Sequence, residues 1–66
     1  MAKSEVVKVL QYRAPYEADQ YLQSLSAKFY GKDRMSGAPV FKTAAGIYIR
    51  ASGGGTVLEV LSHCTC

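Results

Sequence analysis

The sequence predicts an α+β fold, a mostly antiparallel sheet with one helix packed on one face. Three observations lead there. A valine-rich run alternates apolar and polar residues near the N-terminus, a stripe of helical period follows it, and three short β-branched runs separated by turn residues complete the chain. The 66 residues make one domain, 1–66. A core of this size supplies only about 3–5 kcal/mol, so such folds commonly associate or carry a staple.

Residues 5–13, EVVKVLQYR, read as the first strand, because valine is dense and Val7 and Val9 flank Lys8. Residues 14–31, APYEADQYLQSLSAKFYG, read as a helix. Pro15 suits its first turn, Glu17 and Asp19 oppose the positive end of the helix dipole, and Gly31 offers a left-handed stop. Ala18, Tyr21, Leu22, Leu25 and Phe29 form its apolar stripe, with Gln20, Ser24 and Lys28 off that stripe.

Residues 32–39, KDRMSGAP, make a polar loop, with Gly37 and Pro39 as breakers. A meander follows: a short strand at 40–43, a turn at Ala44-Ala45-Gly46, a strand at 47–51, and a last strand at 56–62. The order is therefore strand–helix–strand–strand–strand. It is similar to that of several small oligomeric α+β proteins, dodecins among them, a likeness of fold alone.

Gly53-Gly54-Gly55 invite comparison with a phosphate-binding loop. Such a loop feeds its glycine backbone into a helix N-terminus, whereas TVLEVLS, the stretch that follows here, is short and β-branched. A turn with φ > 0 explains the glycines without a ligand.

The C-terminal SHCTC holds the lone histidine and both cysteines. His63, Cys64 and Cys66 are the weak candidates for a metal or thiol site, but a structural zinc site draws ligand pairs from two segments. Residues 63–66 read instead as a flexible tail. No cofactor is expected. No secretory leader and no membrane-length apolar run is apparent, which makes a cytoplasmic setting and no membrane partner the expectation.

An enzyme is not expected either. Glu17 and Asp19 diverge on the helix, and Glu59 is better matched to a cross-strand partner such as Arg50 than to acid–base work. Binding remains. If Ile47, Ile49 and Ala51 pack beneath the helix, Tyr48 and Arg50 face outward, and the flanking strands are apolar on both sides. One helix covers one face, so something else should cover the second.

These patterns nominate Tyr12, Lys42, Tyr48, Arg50, Leu58 and Val60 as partner-binding residues. The expected function is a small basic binding module acting through a protein–protein interface, as a homodimer or a subunit of a larger assembly. The alternative is single-stranded RNA or DNA on an aromatic strand surface beside Lys8, Lys42 and Arg50. Thiol or metal binding by the tail ranks third. The net charge of +3 is compatible with an anionic partner but selects no class.

Overall fold

The computed structural model describes residues 6–63. Five strands, β1 (Val6–Gln11), β2 (Lys28–Lys32), β3 (Pro39–Lys42), β4 (Tyr48–Ser52) and β5 (Val57–Leu61), form one antiparallel sheet of order β1-β5-β4-β3-β2. One helix, α1 (Pro15–Ser24), follows β1. The α+β class with the helix on one face is as the sequence predicts, but the sheet has a fifth strand.

That strand is β2, taken from the end of the expected helix. The helix stops seven residues before Gly31, at Ser24, and the left-handed residue that stops it is Ser26, with φ 54°. Ser26 N–H donates to the Gln23 carbonyl at 3.0 Å and Ala27 N–H to the Leu22 carbonyl at 3.0 Å. Those two bonds make a Schellman closure, with serine in the position glycine usually fills. Lys28, Phe29 and Tyr30 then run extended, and Phe29 packs edge-on against Phe41 of β3 at 6.2 Å between ring centroids.

The rest of the predicted stripe holds. Ala18 and Leu22 are buried with Ile49 and Leu58, and Tyr21 and Leu25 pack around them. Leu10, Phe41, Ala51 and Val60 close the same cluster from the sheet. Ile47 is not part of it. It lies ahead of β4, where its N–H donates to Thr43 Oγ1 at 3.1 Å in the 44–46 turn, and its side chain is exposed.

Gly53–Gly55 form a tight 3-10 turn between β4 and β5, and φ is positive at each (60°, 72°, 95°). Thr56 Oγ1 donates to the Gly53 carbonyl at 2.8 Å, and Tyr12 N–H donates to the Thr56 carbonyl at 2.8 Å, tying the turn to the end of β1. A side chain at Gly54 would meet nothing within 4 Å, so substitution there isolates the backbone cost. Gly54→Val should destabilise the fold by about 1–3 kcal/mol in urea unfolding. Phosphate should leave the amide resonances of these glycines unmoved. Saturable shifts confined to the turn would show an anion nest.

Candidate interaction surfaces

Register divides the six nominated residues between the two faces, because directly paired residues of neighbouring strands share a face. Leu58 lies opposite Leu10 and Ala51, and Val60 opposite Lys8 and Ile49. Both therefore belong to the helix side. Leu58 is 0% exposed and Val60 half-buried, so both are turned toward the helix and not outward as the sequence pattern places them. Tyr12 packs on the helix side too, its ring 6.2 Å from that of Tyr21. Burial, then the nearby Tyr21 and Glu17, hold the Tyr12 phenol above its usual value. Lys8, opposite Val60, is also on the helix side and separate from the aromatic surface it was grouped with.

Lys42, Tyr48 and Arg50 do face away from the helix. Arg50 is already engaged. Its Nε donates to Glu59 Oε1 at 2.9 Å, directly across the strand pair, and its Nη1 reaches Asp33 Oδ1 at 3.4 Å. The expected cross-strand pairing of Glu59 is thus present, with a second carboxylate added. Asp33 is 3% exposed, and its other carboxylate oxygen accepts from Ser36 N–H at 2.8 Å and Ser36 Oγ at 2.7 Å. A polar loop residue has become the buried anchor of the β2–β3 hairpin; Asp followed by Ser three positions later is the local turn signal for it. The Arg50 hydrogen bond holds the Glu59 carboxyl below the usual range against an opposing push from burial. The same bond raises Arg50.

This network also changes what the second face offers. Val40 and Leu61 lie on it, opposite Arg50 and Tyr48, yet they are buried within the single chain. A partner is therefore not needed to close the middle of that face.

Two other regions remain open. One is the β1 edge, where Val6, Val7 and Val9 are exposed and a register shift between Val6 and Lys8 puts Val6 and Val9 on one face. The other lies at the opposite edge, on β2 and β3. Tyr30 and Tyr48 meet at 5.3 Å between ring centroids, and Lys42 Nζ stands 5.5 Å from each centroid. Tyr30, which the expected helix concealed, is the added member. The aromatic dipeptide Phe29-Tyr30 was its strand signal.

Comparison with known proteins finds no matching family model, no matching curated protein and no matching solved structure.

The larger depression, about 710 Å³, is bordered by Asp33, Met35, Arg50, Glu59 and the three glycines. An anion entering it would meet two carboxylates against one guanidinium, which argues further for the glycines as a turn. His63 is half-buried, with Ser62 Oγ 3.1 Å from its Nδ1. Cys64 and Cys66 lie outside the described residues. Among those residues no group of three potential metal ligands comes together, and no helix is long and apolar enough to cross a membrane.

Proposed function

We propose that the chain is a cytoplasmic, non-enzymatic binding module that acts as a homodimer joined through the free edge of β1. The observation that carries this reading is the exposure of Val7 (68%) and Val9 (50%) on a strand that, among the described residues, has a sheet neighbour on one side only. An open edge presents N–H and C=O groups to a second strand, and natural sheets usually blunt such edges with charge or proline. Here exposed Val6, Val7 and Val9 flank one lysine, Lys8, and the register shift beside it. Two copies of β1 paired antiparallel about a two-fold axis would join the sheets and cover these side chains symmetrically. The small core supports the same reading, since association supplements stability that a chain this short lacks.

Binding is favoured over catalysis because the charged groups beside the larger depression are committed to one another. Glu59 is held ionised by Arg50, which makes it a poor proton acceptor at neutral pH.

Sedimentation equilibrium at micromolar concentration is expected to give twice the chain mass for the wild type and the single-chain mass for Val9→Lys. The exposed site lets the variant keep its fold, which circular dichroism checks. A wild-type chain that remains monomeric, or a variant that remains dimeric, overturns the edge-paired dimer.

A further inference from the structure

We propose that the β2–β3 surface binds single-stranded nucleic acid, with a base stacked on Tyr30 and backbone phosphates held by Lys28 and Lys42. The first support is charge. The β2–β3 hairpin carries Lys28, Lys32, Arg34 and Lys42, and the acid it contains, Asp33, is buried and bonded to Arg50. The helix carries Glu17 and Asp19 instead. Four of the eight lysines and arginines thus lie along one hairpin at one edge of the sheet, even though the net charge is small.

The second support is geometry. Lys28 lies directly across from Lys42, which puts two ammonium groups on the face that bears Tyr30 and Tyr48. Beside them is a depression of about 430 Å³, walled by Ser26, Lys28, Phe29, Tyr30, Lys42 and Thr43, with no carboxylate in its lining. That is room for a nucleobase. Tyr30 is 52% exposed, with Tyr48 edge-to-face beside it and Lys42 Nζ over one side of the ring, which leaves ring surface open to a base.

The chemistry separates this ligand from an acidic peptide. Lysines serve either, but an exposed ring gains from a flat base and little from a carboxylate. Stacking platforms beside a basic groove bind single strands with small sequence preference. The surface lies at the opposite edge of the sheet from β1, so strand pairing at β1 and oligonucleotide binding do not compete.

The test is fluorescence anisotropy with labelled 12-mers of uridine and of deoxythymidine, competed by unlabelled polyglutamate and inorganic polyphosphate. Binding is expected for the oligonucleotides, weakly displaced by either competitor at equal charge. Tyr30→Leu should weaken it about 5- to 100-fold, while Tyr30→Phe keeps it. Lys28→Gln should lower the slope of log affinity against log salt by about 0.7. Both positions are exposed, and the lysine arm stands if the tyrosine variant fails to fold. No binding at low salt overturns the proposal. So does an affinity indifferent to both Tyr30→Leu and Lys28→Gln. Displacement by polyglutamate as effective as by unlabelled oligonucleotide would assign the surface to an acidic protein instead. Repeating the titration with Val9→Lys keeps the outcome separate from the fate of the dimer.

Discussion

Arg50→Met is expected to destabilise the protein by about 3 kcal/mol at pH 7 and to alter how stability depends on pH. Removing one partner of a buried ion pair costs about 3–5 kcal/mol, and the lower end applies because Arg50 and Glu59 each keep 21% of their side-chain surface in water. Asp33 gives the effect its size: its side chain is 1% exposed, and in the variant its carboxylate faces Glu59 with no guanidinium between them. In the wild type the Glu59 carboxyl lies below its ordinary value of 4.5. Its stabilising contribution is therefore complete above that value and is lost as pH falls through the folded one. In the variant a proton on either carboxyl relieves the repulsion, so acid helps the folded state. Urea unfolding at pH 7 and pH 4 should show a large gap between wild type and variant at pH 7 that narrows at pH 4. Glu59→Gln added to Arg50→Met should recover part of the loss, the non-additivity expected within one charge network. Equal losses at both pH values would mean that the two carboxylates do not sense each other through Arg50.

The sequence carried the fold class, the helix stripe and the glycine turn because each rests on a local rule. Alternation marks β4, a short apolar run marks β5, the spacing of Ala18, Leu22 and Leu25 marks α1, and three successive glycines admit a positive-φ turn at little cost. The end of the helix was hidden by Ser26, which adopts a left-handed conformation that the sequence assigned to Gly31. With β2 counted as helix, Phe29 falls on the stripe by accident of spacing, and Lys28 falls on the water-facing side. The aromatic pair Tyr30–Tyr48 needs β2 and β4 on either side of β3, an arrangement no local pattern states. Face assignment failed at β5 for a related reason. Val57, Leu58, Val60 and Leu61 are all apolar, so alternation alone could not say which pair meets the helix. Glu59 decides it, because its partner Arg50 stands opposite on the outer face.

Leu58→Ala is the second large effect, expected to cost about 2–5 kcal/mol, on the scale of the whole stability of so small a chain. Leu58 is fully enclosed by Ala18 and Leu22 of α1 and by Ile49, with Leu10 and Ala51 beside it on the neighbouring strands. The sheet backbone fixes those neighbours, so the space left by alanine closes only in part, and the helix loses the residue it docks on. Val60→Ala should cost less because Val60 is only half-buried, and Gln20→Glu, on the exposed side of α1, should change little. Oligomerisation confounds such measurements, since any loss of association also lowers the apparent midpoint. Leu58→Ala is therefore best measured in the Val9→Lys background, where the chain is expected to be monomeric. A core residue still shows its full loss there. An interface residue shows none, and that result would return Leu58 to the partner surface on which the sequence pattern placed it.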